Sequence, residues 1–158
     1  MNLNSEDDYN EYFYNNLTNP NDSMQEILHK LCFANNNNII IDYRVFKNVA
    51  NNLTYDIIFK HVDNIVKNVL TNYSCIKVDM SMKSLTISDV DKHRSFYSNM
   101  IQYFSDTYPN MLETCNIYLA PSIFVQVFSI FSAFIDKKSK QKIKIVDKNK
   151  KSQISLGL

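Results

Sequence analysis

Residues 117–146 read IYLAPSIFVQVFSIFSAFIDKKSKQKIKIV, and the nineteen residues from Ile117 to Ile135 carry no charge. That is the length of a membrane span. Pro121 divides the run, however, and Ser122, Gln126, Ser129 and Ser132 follow at spacings of four, three and three, which form one stripe along a helix. The remaining surface carries Ile123, Phe124, Val127, Phe128, Ile130, Phe131, Phe134 and Ile135. A helix over Ser122 to Ile135 with so wide an apolar face suits a core helix on a sheet, a lid over an apolar cavity or an interfacial membrane element. A spanning helix ranks last. Asp136 ends the run, and Lys137, Lys138, Ser139, Lys140, Gln141, Lys142, Ile143 and Lys144 follow directly. Apolar helix then lysine cluster matches what a lipid presents, acyl chains and then an anionic headgroup. Each lysine near such a surface contributes on the order of 1 kcal/mol. A nucleic-acid site would set aromatics beside the basic run; in this chain they lie on a separate helix, so no nucleic-acid partner is expected.

The elements around this segment alternate. The first 21 residues are polar, rich in Asn and Asp, with Tyr9, Tyr12, Phe13 and Tyr14 interspersed, and read as a mobile arm or a short docking element ahead of one domain over 22–158. A helix is predicted from Asp22 or Ser23 with Ile27, Leu28, Leu31 and Cys32 on one face, then a loop at Asn35–Asn38. Ile39-Ile40-Ile41 is a candidate buried strand. Thr54 can cap a helix with Ile57, Ile58, Val62, Ile65, Val66, Val69 and Leu70 in phase. Cys75 to Met80 alternates as a strand. Ser88 with Asp91 opens a helix carrying Val90, Tyr97, Met100, Ile101, Phe104 and Tyr108, which Pro109 stops. Cys115–Leu119 and Ile143–Val146 are further strands, and Pro121 suits a helix start. Strands separated by helices predict an α/β fold with a mainly parallel sheet flanked by helices.

Composition excludes more than it assigns. A chain of 158 residues holds one sizeable core. Glycine occurs once, at Gly157, so no phosphate-cradling loop or dinucleotide fingerprint can be written. Heavy asparagine use points to an AT-rich genome, such as that of a large DNA virus or a protist. Net charge is +1, yet residues 1–30 carry six acids and one base, while residues 137–151 carry eight lysines and one acid. The basic end is either a solvated face or an attraction to an anionic surface. Cys32, Cys75 and Cys115 are distant from one another in apolar contexts and read as reduced core residues. His29, His61 and His93 lack ligand spacing, so no metal is expected. No nucleophile–base pair or carboxylate dyad supports an enzyme. The polar opening, Met1–Asn10, does not read as a signal peptide.

Tyr108-Pro109, Asn116-Ile117-Tyr118-Leu119-Ala120-Pro121, Phe134-Ile135-Asp136 and Lys142-Ile143 follow one another as in the CRAL-TRIO lipid-binding family, which the chain resembles over about 39–147 and most sharply over 100–146. Ile76-Lys77-Val78-Asp79 resembles the family's strand ending in Asp. The resemblance implies a gate helix over Ser122–Ile135 and an apolar pocket lined by Phe124, Val127, Phe128, Phe131, Phe134, Tyr118 and Met80, with Tyr43 and Met82 as further candidates. It also implies a headgroup site in which Lys142 engages a phosphoinositide, Ser139 supplies a hydroxyl, and Lys137, Lys138 and Lys140 add charge. Three departures stand against the pattern. Asn110 replaces an acidic residue of transfer proteins, most of the N-terminal helical lobe is missing, and the chain stops at Leu158 before a later strand and Gly-rich motif.

The expectation is therefore a short, minimal, non-enzymatic member that binds or transfers phospholipid, preferentially phosphoinositides. It would be cytoplasmic, peripheral on membranes, within a host cell if viral, and have no cofactor beyond a bound phospholipid. A homodimer would bury the gate helix if the lobe is missing. The alternative is a membrane- or protein-docking module of the same fold without a cavity.

Overall fold

The computed structural model describes residues 3–16, 18–147 and 154–156, the side chains of 154 and 155 excepted. Lys148, Lys150, Lys151 and Gly157, part of the basic end and the lone glycine, lie outside the described residues. In chain order the helices are α1 Glu6–Asn15, α2 Met24–Leu31, α3 Tyr43–Val49, α4 Tyr55–Asn72, α5 Ile87–Thr107, α6 Phe124–Phe131 and α7 Lys137–Gln141. The strands are β1 Cys32–Asn35, β2 Asn38–Asp42, β3 Ile76–Ser81, β4 Leu112–Tyr118, β5 Ile143–Ile145 and β6 Ile154–Ser155. They form one sheet in the order β1-β2-β3-β4-β5-β6. The four central strands run parallel, and β1 and β6 are antiparallel flanks. The α/β class and mainly parallel sheet predicted from the alternation of elements are what the chain forms.

Sequential strand order dictates the layering. A strand–crossover–strand unit is right-handed almost without exception, so crossovers between strands laid down in chain order all land on the same face. The main core obeys this. Ile39 of β2, Ile76 of β3, Cys115 and Ile117 of β4 and Ile143 of β5 share one buried cluster with residues of α2, α3, α4, α5 and α6. The second face holds a separate cluster of Leu3, Tyr9, Phe13, Ile40, Tyr118 and Val146.

That second cluster decides between the two readings of residues 1–21: the segment is a docked element, not a mobile arm. Ser5 opens α1 with a capping box, its hydroxyl accepting from the Asp8 N–H while Asp8 accepts from the Ser5 N–H. Burying one aromatic stripe then fixes the helix on the sheet, with Tyr9 stacked on Tyr118 at 5.4 Å and Phe13 0% exposed. Asn16 ties down the far end by donating to the Lys30 carbonyl at 2.9 Å and to Asp42 at 3.1 Å.

Other differences are local. Asn35–Asn38, expected as a loop, is a hairpin whose two-residue turn needs Asn36 at φ 57°, a conformation Asn tolerates. The box opening α5 is Thr86 with Asp89, two residues before the expected pair. Thr54 precedes α4 without capping it by side chain; its hydroxyl donates to the Val49 carbonyl at 2.7 Å. The helix expected over Ser122–Ile135 is shorter, spanning Phe124–Phe131 and a single 3-10 turn at Ser132–Phe134. The Ser129 and Ser132 hydroxyls bond the carbonyls three residues back, at 2.9 Å each, which tightens that end. Cys32 and Cys115 are buried, and burial pushes both thiols up to about 12. Cys75 is only half-buried, with Sγ 3.1 Å from Glu113.

The packing of α1 makes a measurable demand. Phe13→Ala should cost about 3 kcal/mol in urea unfolding, whereas Glu11→Ala, on the exposed side of α1, should stay within about 0.5 kcal/mol. An unattached arm would show neither loss.

Candidate functional site

The chemistry-bearing segment sits at the β4–β5 end of the sheet. Parity along β4 decides which side chains meet beneath α6: Cys115 and Ile117 face the main core, and Asn116 and Tyr118 face the other side. Phe124, Val127, Phe128 and Phe131 are buried toward the main core, where Met80 packs at its margin. Five of the expected pocket residues are thus brought together. Tyr118 is not among them. It lies on the opposite face against Tyr9 and Phe13, because a strand turns alternate residues to opposite sides. Phe134 sits in the 3-10 turn, 36% exposed.

Aromatic side chains pack behind α6. Phe131 meets Tyr97 of α5 edge-on at 5.7 Å. Behind them Phe46 of α3 stacks on Phe96 at 5.5 Å, and Phe96 on Tyr55 of α4 at 4.5 Å. The polar tips of this aromatic plug are satisfied internally. Tyr97 donates to Tyr43 at 3.3 Å, and Tyr55 Oη lies 2.6 Å from His93 Nδ1. Tyr43 therefore faces the plug. Of this plug sequence periodicity finds Tyr97 and misses Phe46, Tyr55, His93 and Phe96, because their pairing depends on how α3 and α4 cross α5.

Outside, α6 is not polar enough to be a simple surface helix. Val125 is 54% exposed and Ile130 38% exposed. Beyond Phe134 the chain turns at Asp136, whose carboxylate caps α7 by accepting from the Ser139 N–H at 2.9 Å and the Ser139 hydroxyl at 2.6 Å. Those bonds hold the Asp136 carboxyl below the usual carboxylate range. Lys137 and Lys138 are exposed, and Lys140 and Ser139 are partly so. Lys142 is half-buried and donates to the Leu112 carbonyl at the start of β4. No ion pair involves these four lysines among the described residues. No helix among the described residues is long and apolar enough to cross a membrane.

A different hollow opens on the second face of the sheet, between α1 and β2–β4. Its lining is polar and separate from the residues beneath α6.

Comparison with known proteins adds two findings. The family profile described as "CRAL/TRIO domain" matches residues 12–156. Among solved structures, the one described as "Crystal structure of Sfh5" superposes with a TM-score of 0.65 at 14% identity, covering 80% of this chain and 50% of that one. The chain thus spans about half the length of that structure. No curated protein matches.

The plug carries its own pH signature. Burial, helped by the charge of Lys92 and opposed by Asp89, holds the His93 pKa below the usual 6.5. The unfolded chain therefore binds more protons than the folded one between that lowered value and 6.5, so stability rises with pH there and falls on acidification. The urea midpoint should drop between about pH 7 and pH 5.5, and His93→Gln should flatten that slope. An equal slope in both proteins would remove His93 as its origin.

Proposed function

The chain belongs to the CRAL/TRIO domain family, and on that premise we propose that it binds phospholipid, transfers it between membranes, and prefers phosphoinositides. The observation that carries this reading is a succession of exposed side chains along the chain. The outward Val125, Ile130 and Phe134 of the α6 region lead directly into the lysines of α7. Apolar side chains beside ammonium groups suit acyl chains beside an anionic headgroup.

In this proposal α6 is the gate, and Phe124, Val127, Phe128, Phe131 and Met80 form its apolar inner side, with Phe134 at the rim. Lys137, Lys138 and Lys140 hold the headgroup, with the Ser139 hydroxyl beside them. Lys142 stands at the base of the site, where its ammonium exchanges the Leu112 carbonyl for a phosphate oxygen. The protein works at the cytoplasmic surface of membranes without catalysing a reaction; a host cell is its setting if the chain is viral, and a second copy is a candidate cover for α6.

One observation favours a second reading, a docking module of the same fold without a lipid cavity: the space behind α6 is occupied by the aromatic plug. Native mass spectrometry after gentle purification separates the two. A co-purified phospholipid supports the carrier. A protein that arrives empty yet binds phosphoinositide vesicles supports a membrane-docking module, and one that does neither sinks the carrier and the membrane-docking module, leaving protein docking.

The headgroup assignment has a direct test. Three lysines at about 1 kcal/mol each amount to a roughly hundredfold change. The triple variant Lys137→Ala, Lys138→Ala, Lys140→Ala should weaken binding to phosphoinositide vesicles by that factor at low salt, and differ little from the parent at high salt. Equal binding across the salt series would remove α7 from the site.

A further inference from the structure

We infer that Ser139 is a phosphorylation site, and that a phosphate there switches off the lysine surface of α7. The switch rests on the proposed headgroup role of those lysines; the modification itself does not. From Lys137 to Lys144 the chain carries five lysines and one hydroxyl, that of Ser139. Lys137 and Lys138 stand directly before it and Lys140 directly after it. None of these three makes an ion pair among the described residues. A serine between ammonium groups suits a kinase with an acidic substrate groove, by charge complementarity.

Sequence alone does not single Ser139 out, because Ser95 also follows basic residues, Lys92 and Arg94. The structure separates the two. A kinase takes its target segment extended, so the local fold must open first. Ser95 is exposed but lies inside the 21 residues of α5, and its neighbour Arg94 is paired with Asp91 at 3.3 Å. Opening α5 there breaks helical hydrogen bonds on both sides. By contrast, α7 has five residues and buries no side chain. Its cap is the pair of bonds that the Ser139 N–H and hydroxyl donate to Asp136, at 2.9 and 2.6 Å. A short, exposed turn with few buried contacts opens at low cost.

In the transfer step the Ser139 oxygen attacks the γ-phosphorus of ATP, and an O–P bond forms. The bond from that phosphorus to the bridging oxygen breaks, ADP leaves with the electron pair, and the hydroxyl proton passes to the kinase's base. The esterified oxygen then has no proton to donate to Asp136, and it carries a group of charge about −1.5 to −2. That charge cancels about two of the three neighbouring ammonium groups. It also draws them inward, as an internal copy of the phosphate they would meet on a lipid.

The test incubates the full chain with ATP and the catalytic fragment of protein kinase C, which selects serines between basic residues. Peptide mass spectrometry should then place a phosphoryl group on Ser139. Ser139→Ala should remove that phosphoryl group, and Lys138→Ala should slow its incorporation. The phosphorylated parent should bind phosphatidylcholine vesicles doped with phosphatidylinositol phosphate about thirtyfold more weakly at low salt, the contribution of two lysines. The gap should close at high salt. Binding by the unmodified chain is measured first, and its absence would sink the headgroup role and the switch together. In a chain that does bind vesicles, three results overturn this inference alone: no phosphate on Ser139, phosphate on Ser95 or Ser152 in its place, or vesicle binding that phosphate on Ser139 leaves unchanged.

Discussion

Four parallel strands laid down in chain order, joined by crossovers of one hand, can carry their helices on one face only. Everything else in this molecule answers to that constraint. Parallel sheets are ordinarily covered on both faces, so a chain with sequential order must cover the second face with something other than its crossovers. Here α1 does so, through Tyr9 and Phe13 packed against Tyr118. One short helix does not fill the space over that face, and the part beneath its N-terminal end is polar, with Asn38, Lys77, Asp79, Thr114 and Asn116 where a doubly covered sheet would place Val or Ile. The two faces therefore have opposite chemistry, apolar and filled under α6, polar and hollow under α1.

A chain with one glycine must turn corners by other means. Asn36 and Asn110 take positive φ, as asparagine does at low cost. Ser84 and Leu119 also take it, at φ 70° and 52°, and for a side chain like leucine this costs about 1–2 kcal/mol. The position of Leu119 explains why the cost is borne. β4 ends at Tyr118 on the second face, Leu119 packs beside that cluster, and α6 buries its aromatics on the first face five residues later. The chain must change sides of the sheet between Tyr118 and Phe124, and the left-handed residue supplies the reversal.

How much of this could be read from the sequence follows the same division. Long periodic segments were legible: α4, β3 and α5 announce themselves through apolar spacing, and the family pattern locates α6 and the lysine turn. What depended on parity or on distant partners was not. The family resemblance puts Tyr118 in the pocket, although alternation from Ile117 turns it the other way. α1 reads as an arm because four acids and two asparagines accompany its four aromatic residues, and its stripe of Tyr9 and Phe13 acquires meaning only opposite Tyr118. β1 was hidden because Asn35–Asn38 has the composition of a loop, yet two of its four residues pair as strand. The lining of the polar hollow was invisible for a deeper reason, since its members come from residues 3 to 146 and converge only through strand register.

The packing behind α6 also limits how a gate of this kind can behave. Phe124, Val127, Phe128 and Phe131 are all buried, and exposing such side chains costs about 1.5–3 kcal/mol each, roughly 6–12 kcal/mol together. That approaches the whole stability of an ordinary domain. In water, then, α6 stays shut against the aromatic plug, and opening requires another apolar phase to receive the same four side chains. A bilayer or an acyl chain is such a phase. In the proposed function, the outward Val125, Ile130 and Phe134 meet it first, and the α7 lysines hold the helix at the headgroup level. On the proposed reading, opening and membrane contact are therefore one event, driven by differential burial in the membrane-bound state.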